Sequence, residues 1–203
     1  MFALNKYFPN WRELSIHESS PGWDKASLRL MTECANYQAT NFDPDSPLGE
    51  IFPTRKPCKT YQNEDLENQT FGDVMFDIVF MQDVFEHVFR PDLAVKEIAR
   101  TLKPGGGLVM TVPLVRQRNP SVRRAEMCDG QVRHLIEPAQ YHNSTVSADG
   151  ALVTIDWGFD IVSYLQHHSD MSFMLLNTED PDQGIIGDLK EVVLGFKRPI
   201  PAL

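Results

Sequence analysis

A chain of 203 residues, 42% hydrophobic and 23% charged, suits one α/β domain with a full core and leaves little room for a second. Its formal net charge of -9 argues against a general nucleic-acid binder, whose phosphate contacts need a basic face. No apolar run approaches the ~20 residues of a membrane helix, and the opening Met1–Lys6 lacks the long apolar core of a signal peptide.

Residues 1–12 form a short lead-in whose Tyr7, Phe8 and Trp11 read as packing groups. Leu14 and Ile16 alternate through a first strand, and the turn Glu18-Ser19-Ser20-Pro21-Gly22 follows. Trp23, Ala26, Leu30 and Cys34 recur at helical spacing, which predicts a helix from Trp23 to Ala35, with Ser20 as one candidate for its cap. A second strand covers Tyr37 to Thr40, and residues 44–59, rich in Pro and polar groups, read as a surface loop. Thr60-Tyr61-Gln62 reads as a strand near the sheet edge.

Phe76 to Met81 is an apolar, β-branched and aromatic run, the pattern of a strand buried on both faces of a parallel sheet. Asp83, Glu86 and His87 arrive together just past its end, where ligands bind in open α/β sheets. A helix is predicted from Pro91 to Lys103, with Val95, Ile98, Ala99 and Leu102 as its apolar stripe. Gly105 marks its exit, and a strand from Leu108 to Val112 follows.

From Leu114 to Gly150 the periodicity lapses, and five arginines (Arg116, Arg118, Arg123, Arg124 and Arg133) stand in an otherwise acidic chain. Guanidinium forks suit carboxylate or phosphate, so Arg116 and Arg123 are candidates for an anionic ligand; pairing with Glu126 and Asp129 is the plainer alternative. Asp156 to Gln166 returns to helical spacing, and Met171–Leu176 and Glu191–Lys197 read as two last strands. Three scattered cysteines, Cys34, Cys58 and Cys128, read as reduced thiols of a cytoplasmic protein, and no compact ligand spacing supports a metal site.

Phe76-Asp77-Ile78-Val79, Asp83-Val84-Phe85-Glu86-His87-Val88, Glu97 to Gly106 and Thr111-Val112-Pro113 together resemble the central part of class I S-adenosylmethionine-dependent methyltransferases, small-molecule type. The resemblance is dense over residues 71–113 and looser elsewhere. It implies a Rossmann-like α/β fold: a mainly parallel seven-stranded sheet with an antiparallel last strand, helices on both faces, and one domain over residues 1–203. Residues 114–150 would then be an insertion or lid over the acceptor site, because the short lead-in offers no amino-terminal cap.

For the cofactor, S-adenosylmethionine, the resemblance implies contacts from His17, Glu18, Ser19, Ser20 and Gly22 in the first turn. The chain departs from the family here: the three usual glycines fall on His17, Ser19 and Pro21, and the usual acid on Ser15. Asn41, with Phe42 and Asp43, stands where an acidic residue normally takes the ribose hydroxyls. Asp65 and Leu66 match the adenine contacts, and Gln82 and Asp83 would line the methyl-binding face. A base helps when the acceptor is a hydroxyl, and the candidates are His87, His134 and His142, with Tyr141 in the acceptor site. Expected partners are a small-molecule acceptor, no nucleic acid and no membrane, with a homodimer allowed. The competing reading, a methyltransferase fold that has lost catalysis and serves as a binding or assembly subunit, rests on the weakened glycine turn and on Asn41. A dehydrogenase is a distant third, because no dinucleotide glycine fingerprint follows a strand.

Overall fold

A computed structural model describes residues 1–53, 60–143 and 149–199. In chain order its first half holds α1 (Phe2–Tyr7), β1 (Ser15–Ser19), α2 (Lys25–Glu33), β2 (Asn36–Asn41), β3 (Ile51–Pro53), β4 (Thr60–Asn63) and β5 (Phe76–Gln82). Next come α3 (Pro91–Thr101) and β6 (Leu102–Thr111), then the short strands β7 (Val122–Arg123), β8 (Ala125–Cys128), β9 (Gln131–His134), β10 (Tyr141–His142), β11 (Ala151–Leu152) and β12 (Ile155–Asp156). Finally there are α4 (Ile161–His168), β13 (Met171–Leu176) and β14 (Val192–Lys197).

The main sheet has eight strands in the order β13-β14-β6-β5-β1-β2-β4-β3. The five from β6 to β4 run parallel, and β14 lies antiparallel between β6 and β13. This is the expected seven-stranded pattern with one strand added: β3, inside the stretch expected to be loop, pairs antiparallel with β4. Phe52 stacks on Tyr61 with ring centroids 5.6 Å apart, and Pro53 sits at the sheet edge, where its missing N–H costs nothing.

Alternation along β5 explains why it was legible as a doubly buried strand. Ile78 and Phe80 join one core with Leu4, Trp11, Ile16, Leu30 and Leu194. Val79 and Met81 join the other with Val95, Ile98, Leu102, Trp157, Ile161 and Leu165. Thus α1 and α2 cover one face of the sheet, and α3 and α4 cover the other.

Several boundaries differ from the expectation; α4 begins at Ile161 and not at Asp156, which pairs with Val122 as part of β12. Helix α2 begins at Lys25, with Asp24 and not Ser20 as its cap, so Trp23 lies outside it and is 63% exposed. Helix α3 stops at Thr101, because Leu102 already pairs with Phe76 and Pro104 disfavours helix in the residue before it. The register shift between Phe76 and Ile78 takes up the intervening residues of β6. Gly106 is required there, since a Cβ would lie 2.7 Å from the Asp77 carbonyl oxygen. The described part of residues 114–150, expected to lack periodicity, holds β7 to β10 in short antiparallel ladders: β8 with β9, β10 with β11, and β7 with β12, the last two partners lying just beyond Gly150. Among the described residues no helix is long and apolar enough to cross a membrane. Cys34 and Cys128 are free thiols, and Cys58 lies outside the described residues.

Candidate active site

The parallel strands β1, β2, β4 and β5 end along one rim of the sheet. At the end of β1, Ser19 pairs with Thr40 and Met81, and Ser20 turns the chain in a left-handed conformation with φ 52°. This conformation is the one a glycine adopts freely and a serine adopts at a cost.

The side chains of β1 do not reach the rim. His17 is fully buried, its ring lies 5.2 Å from that of Phe71 and 5.1 Å from that of Phe76, and its Nε2 is 2.9 Å from Thr40 Oγ1. Burial drops its pKa to about 3, which keeps the imidazole neutral. Glu18 is buried on the opposite face, accepting hydrogen bonds from Ser27 Oγ at 2.5 Å and Tyr37 OH at 2.6 Å. Burial pushes its pKa up to about 7, against the pull of those two hydroxyls.

Sequence reasoning passed over Asp24, although an acid just before a helical run is a cap signal. Its carboxylate accepts from the backbone N–H groups of Ala26 and Ser27 and from Gln82 Nε2 at 2.8 Å, bridging the ends of β1 and β5. Burial opposes its ionisation, but the Ser27 and Ala26 hydrogen bonds prevail and hold the carboxyl below the usual range. The amino end of α2 is therefore already capped by the chain's own carboxylate. A Cβ on Gly22 would lie 3.1 Å from Asp24 Oδ2, so a larger residue would push on the capping carboxylate by a few tenths of an ångström.

At the end of β2, Asn41 Oδ1 is buried and has no hydrogen-bond partner among the described residues. Phe42 beside it is 46% exposed. Asp43 folds its own turn, accepting from Asp45 N and Ser46 Oγ. Asp65 does the same, accepting from Glu67 N at 2.8 Å, with its pKa raised by burial. Leu66 packs into the core.

At the end of β5, Asp83 is left-handed with φ 51° and accepts from Thr111 Oγ1 at 3.1 Å. The next turn, Phe85–His87, is held by residues far along the chain. Thr154 donates from N and Oγ1 to the Glu86 carbonyl and from Oγ1 to the Val88 carbonyl at 2.7 Å. Trp157 Nε1 donates to the Phe85 carbonyl.

This clamp fixes three side chains together. Glu86 is 2% exposed, with burial pushing its pKa up to about 8, and His87 and His142 flank it with rings 5.1 Å apart. His87 Nδ1 lies 2.8 Å from the Leu152 carbonyl oxygen; an oxygen without a proton makes this nitrogen the donor, which leaves the lone pair on Nε2. Burial lowers the His87 pKa.

The structure thus joins His87 and His142 to Glu86, a strand-end residue noticed in the sequence but not assigned a role. His134 stands apart, on β9 opposite Ala125, and Tyr141 precedes His142 on β10 and is 52% exposed. Arg116 donates to the Pro120 carbonyl and Arg123 to the Phe89 carbonyl, while Arg124 pairs with Asp156 at 2.9 Å and Arg133 with Glu126.

Residues 18–110 match the family model for a methyltransferase domain. Among solved structures, the chain is similar to an S-adenosylmethionine-dependent methyltransferase from Mesorhizobium loti, with a TM-score of 0.56, 15% identity and 96% of each chain covered. It is also similar to 1,6-didemethyltoxoflavin-N1-methyltransferase of Burkholderia thailandensis, solved with S-adenosylhomocysteine, with a TM-score of 0.53 and 11% identity over 98% of this chain and 76% of that one. A third is a methyltransferase of Haloferax volcanii in complex with the Trm112 activator, with a TM-score of 0.55 and 13% identity over 95% of this chain and 85% of that one. At such identities the likeness is one of fold.

Proposed function

We propose that the chain is a class I S-adenosylmethionine-dependent methyltransferase that transfers a methyl group from S-adenosylmethionine to a small acceptor held beside Glu86, His87 and His142; the matching methyltransferase-domain model and the shared fold support this reading. The carrying observation is the buried, unpaired Oδ1 of Asn41 at the end of β2, next to the exposed ring of Phe42. A buried acceptor without a donor costs about 1–3 kcal/mol, and a ribose hydroxyl supplies that donor. The exposed ring offers an apolar plane for the adenine.

When bound, the cofactor supplies a methyl group on a sulfonium that leaves without acid help. The rest is alignment and exclusion of water by the chain. In this reading Asn41 and Asp43 face the ribose, and Asp65 with the backbone N–H of Leu66 faces the adenine. The turn from His17 to Gly22, through the backbone of Glu18, Ser19 and Ser20, lines the methionine end. Gln82 and Asp83 border the transferred methyl. His87, whose Nε2 lone pair is free, takes the proton of an acceptor hydroxyl, with His142 beside it. His134, Tyr141, Arg116 and Arg123 line the acceptor side, and residues 114–150 cover it. We read the acceptor as anionic, because the guanidinium groups of Arg116 and Arg123 carry N–H donors beyond those given to the Pro120 and Phe89 carbonyls.

The second reading, a fold retained for binding or assembly, is favoured by Asp24, whose carboxylate caps α2 and holds Gln82 across the space between the ends of β1 and β5. Calorimetry with S-adenosylhomocysteine separates the two. Micromolar binding supports the enzyme, and no heat at millimolar ligand supports the binding subunit.

A further inference from the structure

We propose that Glu86, His87 and His142 bind a divalent transition-metal ion, with Zn²⁺ or Co²⁺ as the expected occupants. The ligand atoms of the three side chains all lie within 4.8 Å of one another. Glu86 Oε1 is 3.7 Å from His87 Nε2 and 3.4 Å from His142 Nδ1. Donors about 2.0–2.1 Å from a tetrahedral ion stand roughly 3.3–3.5 Å apart, so both distances to Glu86 already lie near the spacing of a bound ion. The same distances are too long for charge-assisted hydrogen bonds, which run at about 2.7–2.9 Å.

Glu86 carries a second, independent pointer. It is 98% buried, and neither of its carboxylate oxygens has a hydrogen-bond partner among the described residues. A carboxyl group sealed from water, with only its own backbone N–H close enough to favour its charge, is costly to ionise, and a cation between it and the imidazoles answers it directly.

The surroundings of His87 agree. A metal-ligating histidine donates its other ring N–H to a carbonyl or carboxylate, which fixes the ring and aims the bare nitrogen at the metal. Here Nδ1–H goes to the Leu152 carbonyl, and Nε2 faces Glu86. The histidine side chains are 18% and 35% exposed, which leaves an entry path and room for a further ligand. Two imidazoles with one carboxylate suit zinc, cobalt, iron or nickel better than magnesium or calcium, which prefer all-oxygen sites. An acceptor hydroxyl or carboxylate would fill the open position, where the ion, in place of the then-occupied His87 Nε2 lone pair, would ease loss of the hydroxyl proton; that use rests on methyl transfer as proposed above, whereas metal binding itself does not.

The test uses the untagged full chain, stripped with chelator and titrated with Co²⁺ by visible absorption and with Zn²⁺ by calorimetry, without cofactor. One equivalent should bind, and intense absorption bands should report four-coordination by cobalt. Glu86→Gln and His142→Ala should each weaken binding at least 100-fold while far-ultraviolet circular dichroism is unchanged. His142 is half-exposed, so its variant remains informative if the Glu86 variant fails to fold. No binding of either metal at millimolar concentration overturns the proposal, as does binding undiminished in His142→Ala. S-adenosylhomocysteine binding, measured on the same samples, reports on the enzyme reading separately. Metal lost with nucleoside binding retained sinks this inference alone.

Discussion

Glu18 allows a sharp test of the buried acid at the end of β1. It is 1% exposed and its pKa is raised from 4.5 to about 7, burial outweighing the hydrogen bonds from Ser27 and Tyr37. The folded state therefore holds a proton between those values that the unfolded state has released. Unfolding free energy must then fall as pH rises through this window, with no penalty below it and the full penalty above it. A shift of about 2.5 units corresponds to roughly 3 kcal/mol. Glu18→Gln keeps the shape, and both neighbouring hydroxyls can donate or accept, so the amide stays bonded at every pH. Urea unfolding of wild type and variant at pH 4.5, 6 and 8 should give a difference that grows by about 3 kcal/mol in favour of the variant, worth roughly 6–12 °C in Tm for a chain of this size. Glu86 also titrates in this range, but equally in both proteins, so it cancels from the difference. A difference constant across pH would refute the reasoning.

Two further substitutions probe the rim. Ser20→Gly relieves the left-handed φ of 52° and should raise stability by about 1 kcal/mol; a destabilised variant would mean that the serine hydroxyl holds the turn. Asn41→Asp places a carboxylate where two ribose hydroxyls are proposed to donate, and should tighten S-adenosylhomocysteine about tenfold by calorimetry. Weaker binding would remove Asn41 from the ribose contact.

The fold was legible wherever apolar spacing reports burial. Phe76 to Met81 announced a central strand because both of its faces are core, and Val95, Ile98 and Ala99 announced α3 because they all face one cluster. Edges were harder. Ile51–Pro53 is a strand held by backbone pairing to β4 and by one aromatic contact, with little buried surface to pattern it. Spacing alone puts Trp23 on the apolar stripe of α2, while the capping carboxylate of Asp24 sets the true start one residue after itself. At the site, the strand-end cluster of Asp83, Glu86 and His87 stood out in the sequence. The meeting of Glu86 with His142 did not, since tertiary folding of the region after β6 brings them together. Nor does a sequence show that His17 turns into an aromatic core, because a strand's two faces differ only in what later packs on them.

The hold of Thr154 and Trp157 on the carbonyls of Phe85, Glu86 and Val88 makes the strand-end turn a late product of the chain. Residues 15–111 hold every parallel strand of the main sheet, yet the loop that presents His87 gains its last tethers only from the segment around Thr154. A chain ending near Val112 would lack both these tethers and the core that Trp157, Ile161 and Leu165 supply, so the working edge and the sheet face beneath it are completed by the same late segment.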